Sequence, residues 1–162
     1  MDTKENISTS KPEYDLTKVF VVHGTNTLIK TEVARLIENL GLEPVILHEQ
    51  PNGGKTIIEK FETHSAKVGF AVVLLTDDDV AQPKGSDQLK SRARQNVVFE
   101  MGYFFGSLGR KRVCTLHTKG IEIPTDIQGI VYVSLDNAGA WKYTLVDELR
   151  LAGYSVSKDK IK

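Results

Sequence analysis

Five short apolar runs punctuate the chain: Val19–His23 (VFVVH), Pro44–His48 (PVILH), Gly69–Leu75 (GFAVVLL), Arg112–Leu116 (RVCTL) and Ile130–Leu135 (IVYVSL). Each is nearly continuous rather than alternating, which suits strands buried on both faces of a parallel sheet. Between them the apolar positions recur with a helical period. Ile29, Val33, Leu36, Ile37 and Leu40 form one stripe, closed by Gly41 as a C-cap. Ile57, Ile58 and Phe61 mark a shorter second helix. The third helix carries Val97, Val98, Met101, Phe104, Phe105 and Leu108, which fall within an arc of about 120° at ~100° per residue. A last helix is predicted from about Ala140 to Ala152, burying Trp141, Leu145, Val146 and Leu149. Pro124 keeps any helix between the fourth and fifth strands short.

Strands alternating with helices imply an α/β domain with right-handed crossovers. With five strands the expected architecture is a flavodoxin-like, doubly wound parallel sheet of order 2-1-3-4-5. Its switch point lies between the first and third strands. A ligand would then sit beside His23–Thr27 and Thr76–Gln95, the loops that leave those strands. Residues 1–16 are polar and aperiodic and read as a flexible tail or linker, so the folded domain is expected over 17–162.

The composition narrows the partners. The chain has 162 residues, 40% hydrophobic and 26% charged, as in an ordinary globular domain. Lys and Arg total 21 and so do Asp and Glu. No net positive field exists to hold a polyanion, and nucleic acid is not expected as a partner. One cysteine, Cys114, excludes an intramolecular disulfide and fits a reducing compartment, so the expected location is cytoplasmic. The apolar runs fall far short of the ~20 residues that span a bilayer, and no membrane partner is expected.

Glu100 stands out on helix geometry. It lies about 40° outside the apolar arc of the third helix, beside Asn96, Tyr103 and Ser107, and in its first turns. A carboxylate at the margin of a buried stripe is partly desolvated and can steady a developing cation or move a proton. The competing expectation is a solvated surface glutamate favouring the helix dipole. Glu49-Gln50-Pro51-Asn52-Gly53-Gly54-Lys55-Thr56 imitates a P-loop. The position six before its lysine holds Glu49 where a glycine is required, so the run is read as a flexible Gly-Gly loop entering the second helix. His23-Gly24-Thr25-Asn26 ends the first strand: Gly24 permits close backbone approach, and Thr25 or Asn26 can cap the next helix. Lys90, Arg92 and Arg94 can meet a phosphate or the Asp77-Asp78-Asp79 run, itself read as a solvated turn. The four histidines show no metal-ligand spacing, and no metal or resident cofactor is expected. Cys114, in mid-strand, reads as a buried inert thiol.

The runs VFVVHG, LGLEPVILHEQPNGGKTIIEKFE, VGFAVVLLTDDDV, RARQNVVFEMGYFFG and IPTDIQGI resemble the bacterial TIR-like domains described as predicted nucleotide-binding proteins. Some of those serve as effectors of cyclic-nucleotide anti-phage defence systems. The resemblance extends from about Lys18 to the C-terminus. It implies an NAD+ glycohydrolase whose catalytic glutamate, in the NVVFE run, is Glu100 here. NAD+ or NADP+ is then substrate rather than cofactor. His23, Gly24 and Thr25 would line it, with Arg94 and Asn96 as phosphate or ribose contacts. The resemblance also implies activation by self-assembly through the loop after the second strand, with Gln50, Asn52, Gly53 and Gly54. The implied partners are other TIR protomers and a cyclic-nucleotide sensor domain. Two other functions fit the same sheet: a non-catalytic nucleotide-binding or scaffold module, and a nucleoside deoxyribosyltransferase-like enzyme using a glutamate through a covalent glycosyl intermediate.

Overall fold

The apolar runs become strands, with two additions. The computed structural model describes residues 13–124 and 129–162. Residues 1–12, most of the expected tail, and 125–128, inside the IPTDIQGI run, lie outside the described residues. Among those described, seven strands form: β1 (Lys18–Val22), β2 (Glu43–Val45), β3 (Ala71–Leu75), β4 (Asp79–Ala81), β5 (Lys90–Arg92), β6 (Val113–His117) and β7 (Tyr132–Ser134). Five make one parallel sheet in the order β2-β1-β3-β6-β7. Counting only those five along the chain, the order is 2-1-3-4-5, the doubly wound, flavodoxin-like arrangement expected. β4 and β5 are an antiparallel hairpin, Asp79 opposite Arg92, built inside the Thr76–Gln95 segment read from sequence as loop. Three-residue strands rich in charge carry no apolar period, which is why the pattern missed them.

Among the described residues four α-helices accompany the strands: α1 (Thr27–Asn39), α2 (Ile57–Ser65), α3 (Gln95–Leu108) and α4 (Ala140–Leu151). Their starts are chemically specified. Asn26 caps α1 by accepting the Ile29 N–H at 3.0 Å. Thr56 and Glu59 form a reciprocal capping box on α2, and Asp136 accepts the Ala140 and Trp141 amides, each at 3.0 Å. The α3 N-cap, Arg94, makes no side-chain capping bond.

Because successive strand residues face opposite ways, β1 sends Val19 and Val21 into one core with α1 and α4. It sends Phe20 and Val22 into the other, with Phe61, Met101 and Phe104 of α2 and α3. In the second core Phe20, Phe61 and Phe104 meet edge-on or tilted, at centroid distances of 4.9 to 5.7 Å. Each such buried ring contributes about 1.5–3 kcal/mol. Ahead of β1, Asp15 bridges Val68 and the Arg112 guanidinium lies 4.3 Å from the Tyr14 ring centroid.

Two helix faces differ from the sequence pattern. On α2, Phe61 is buried, but Ile57 and Ile58 are 80% and 49% exposed. One turn before Phe61 the helix fronts a hollow of about 280 Å³ lined by Leu47, His48, Asn52, Lys55, Ile57 and Lys60 rather than packed chain. On α3, Val97, Met101 and Phe104 are buried, whereas Val98, at one end of the predicted arc, is exposed. Phe61 packs against Tyr103 at 4.8 Å. The buried face is therefore turned toward the side of the helix that holds Tyr103 and Glu100.

Candidate active site at the switch point

The carboxyl ends of β1 and β3 bring together the two segments that the topology singles out. Thr25 donates its backbone N–H and its hydroxyl to one oxygen of Asp78, at 3.0 and 2.8 Å. The Thr76 hydroxyl donates to the same oxygen at 2.8 Å. The other carboxylate oxygen of Asp78 is buried with no partner among the described residues. It occupies the space beside Gly24: a Cβ added at position 24 would overlap the Asp78 carboxylate. Gly24 does not adopt a left-handed φ, so this crowding, not backbone conformation, is what asks for glycine. Burial pushes the Asp78 carboxyl up, but the hydrogen bonds from the Thr25 and Thr76 hydroxyls and the Thr25 backbone hold it below the usual aspartate value.

The reading of Asp77–Asp79 as a solvated turn is thus corrected. Asp77 is exposed, but Asp78 is half-buried and ties the two loops, and Asp79 starts the hairpin. A carboxylate that receives three donors gains more from them than from water. The only sequence signal was Thr76-x-Asp78 directly after an apolar strand, a spacing that also fits a plain turn.

His23 follows β1. Its Nδ1 lies 2.8 Å from the Gly24 carbonyl. A carbonyl only accepts, so Nδ1 carries the proton and Nε2 keeps its lone pair. Burial lowers the His23 pKa, the Gly24 hydrogen bond opposing it and nearby Lys30 and His48 adding to it, so the ring is neutral near pH 7. The His48 ring stands edge-on at 5.5 Å.

Glu100 is half-buried, and no hydrogen bond or ion pair reaches its carboxylate among the described residues. Burial alone pushes its pKa up to about 7. The expected partial desolvation is met, through the turned α3 face described above, and the fully solvated alternative is not. Asn96, one turn earlier, lines an open hollow of about 770 Å³ with Asp77, Asp78, Asp79, Arg92 and Arg94. Glu100 is not part of that lining. Arg94 is exposed and pairs through Nε with Asp79 at 3.7 Å, the acidic-run alternative weighed from sequence.

The loop after β2 has a defined course. Lys55 N–H closes a turn onto the Asn52 carbonyl at 2.9 Å, with Gly53 and Gly54 at φ 56° and 73°, values that favour glycine at both places. The Asn52 side chain accepts from Nζ of Lys60, a lysine only 7% exposed, at 2.9 Å. Gln50 donates its backbone N–H to Leu47. Nothing in sequence marks Lys60, since lysines are seldom buried. Cys114 is buried and its thiol is pushed up to about 12, chiefly by burial, as an inert thiol requires. Among the described residues no group of three or more His, Cys, Asp or Glu converges as a metal site. No helix among them is long and apolar enough to cross a membrane.

Known proteins are similar to this sequence. The uncharacterized protein YuaY of Escherichia coli K12 is 49% identical over 143 residues, 88% of this chain and 48% of that protein. Protein tirC of Dictyostelium discoideum is 36% identical over 127 residues, 72% of this chain and 63% of that protein. Pycsar effector protein BcPycTIR of Burkholderia cepacia is 29% identical over 123 residues, 72% of this chain and 39% of that protein. The chain thus spans about half the length of the curated relatives it matches. The family model for the TIR domain of CAP12/Pycsar effector proteins matches residues 18–137, from β1 past β7. By that match the chain belongs to the CAP12/Pycsar effector TIR-domain family.

Proposed function

We propose that this chain cleaves the bond between nicotinamide and ribose in NAD+ or NADP+, acts when self-assembled, and serves as the effector part of a cyclic-nucleotide defence protein. The observation that carries the reading is the Glu100 carboxyl: half-buried, without a partner among the described residues, and held near pKa 7 by burial. An unpaired desolvated carboxyl costs stability, and such groups cluster where chemistry needs them. As the C1′–N1 bond breaks, its electron pair moves to the pyridinium nitrogen. Nicotinamide departs neutral, and positive charge spreads over C1′ and O4′. A carboxylate in a low-dielectric setting stabilises that charge more strongly than one in water. The substrate pyridinium itself favours the ionised form of Glu100. Water then adds at C1′ and loses its proton, giving ADP-ribose. No general acid is required, because the leaving group needs no proton.

The nucleotide would lie along the Gly24 turn. Neutral His23 would offer Nε2 as an acceptor, and Asn96 would provide an amide. The turn at Gln50–Gly54 and exposed Ile57 beside it form a surface suited to a second protomer, so dilute protein is expected to be less active than clustered protein. A defence role is supported by the relative that is itself called a Pycsar effector protein.

The test is nicotinamide release from NAD+, quantified by chromatography with concentrated or crowded protein, alongside Glu100→Gln and Glu100→Ala. Product from the parent chain and none from either folded variant is expected. Equal activity in the variants removes Glu100 from the mechanism. Absence of product under every clustering condition favours the scaffold module, and base exchange on deoxynucleosides favours the transferase.

A further inference from the structure

Asp78 spends its hydrogen-bonding capacity unevenly. One carboxylate oxygen collects three donors from two loops: the Thr25 amide, the Thr25 hydroxyl and the Thr76 hydroxyl. The other is buried, has no partner among the described residues, and fills the space a side chain at position 24 would need. An aspartate that served only to finish a turn would have both oxygens in reach of water. An isolated carboxylate can swing aside to admit a methyl group, but one pinned by three donors cannot do so without breaking them. Gly24 and Asp78 therefore specify one another. Their contact sets how closely the turn after β1 approaches the end of β3.

We infer that Asp78 is the positioning residue of the nucleotide pocket: by gripping Thr25 and Thr76 and crowding Gly24, it holds the turn after β1 in the shape that receives the substrate. This rests on the reading above that the Gly24 turn borders that substrate. Asp78 touches no reacting atom in this account. It acts through the backbone of Gly24 and Thr25, while Glu100, on a different element, does the chemistry.

The experiment measures KM and kcat for NAD+ cleavage by the clustered 162-residue chain, together with melting temperature and amide exchange at residues 24–26. The variants are Asp78→Asn, Asp78→Ala, Gly24→Ala and the double variant Gly24→Ala/Asp78→Ala. Removing charge-assisted hydrogen bonds that order a binding loop is expected to raise KM about tenfold in Asp78→Ala, with kcat held within about threefold and faster exchange at the Thr25 amide. Asp78→Asn keeps an acceptor oxygen and should fall between. Gly24→Ala alone should match or exceed the Asp78→Ala defect. In the double variant the methyl group has room, so its KM should be no worse than that of Asp78→Ala.

Three results would overturn the proposal. One is a KM for Asp78→Ala within twofold of the parent. Another is a loss of kcat at constant KM that follows the melting temperature, which is what a merely structural role predicts. The third is a double variant worse than both singles. A parent chain that neither cleaves NAD+ nor binds it by calorimetry sinks the functional reading and the pocket assignment together. An active parent with indifferent variants sinks only the role of Asp78.

Discussion

Asp78, in the loop between β3 and β4, and Glu100, in the first turns of α3, are both half-buried carboxylates near the carboxyl edge of one sheet, yet their surroundings drive them apart. Burial opposes ionisation in each. Around Asp78 the donors of Thr25 and Thr76 outweigh it, and the pKa falls below the aspartate norm. Around Glu100 no donor among the described residues opposes it, and the pKa rises to about 7. The difference teaches that depth does not decide the role of a buried acid; the count of donors within reach does. The carboxylate gripped through one oxygen ties two loops together, and the one with no donor among the described residues would be free to meet a cation.

The largest expected effect falls on Glu100. Glu100→Gln should lower nicotinamide release by about 100-fold or more, as expected for loss of a charge that stabilises a transition state in a desolvated site. Its melting temperature should be equal to or above that of the parent, since an unpaired buried acid is removed. An Asp78→Asn variant losing as much kcat would erase the contrast between the two residues.

A pH profile probes the same contrast. If the ionised form of Glu100 acts, kcat/KM should rise about tenfold per pH unit below the Glu100 pKa of about 7 and level above it. That limb should be absent from the residual activity of Glu100→Gln. A profile flat from pH 5.5 to 8 would contradict it.

Stability should respond with opposite signs at the two sites. The folded pKa of Glu100 is raised, so the native state binds more protons than the unfolded chain between the ordinary value of 4.5 and about 7. Its contribution is most favourable at low pH and declines as pH rises through that window, by on the order of 2 kcal/mol after allowance for partial solvation. The folded pKa of Asp78 is lowered from 3.8. Its contribution is present above that value and is lost as pH falls through the folded pKa. Urea melts of the parent and Glu100→Gln across pH 4.5–8 should converge at the acid end and separate at the alkaline end, with the variant the more stable.

The smallest effect is expected at Thr76, which is 1% exposed. Thr76→Val removes one donor to Asp78 with little change of shape and should cost about 1 kcal/mol. It should also move the Asp78 pKa, read by carboxyl carbon NMR, upward toward the behaviour of Glu100. An unmoved pKa would mean that Thr25 alone sets it.

How much of this was legible differs by element. The five main strands and α1 were readable because continuous Val/Ile/Leu runs and a 3.6-residue stripe leave few other ways to bury apolar surface. The arc drawn on α3 put Glu100 at its margin, partly buried as found, but wrongly included Val98, since a helical wheel cannot show which flank a neighbouring helix will cover. Here Phe61 of α2 covers the Tyr103 side and leaves Val98 to solvent. Ile57 and Ile58 follow the helical period but meet no packed surface at the end of α2. The β4–β5 hairpin was invisible because its stability comes from pairing, not from an apolar pattern.

By itself the sequence determined the layered parallel architecture, its strand order, the switch point and the acid worth watching, because periodic burial and chain connectivity are local properties that add along the chain. Only the tertiary structure decided that Asp78 would grip Thr25, 53 positions away in sequence, that Gly24 must lack a side chain, and that Glu100 would find no donor among the described residues. Those outcomes depend on which distant groups arrive within about 3 Å of one another, and no spacing along a single chain encodes that distance.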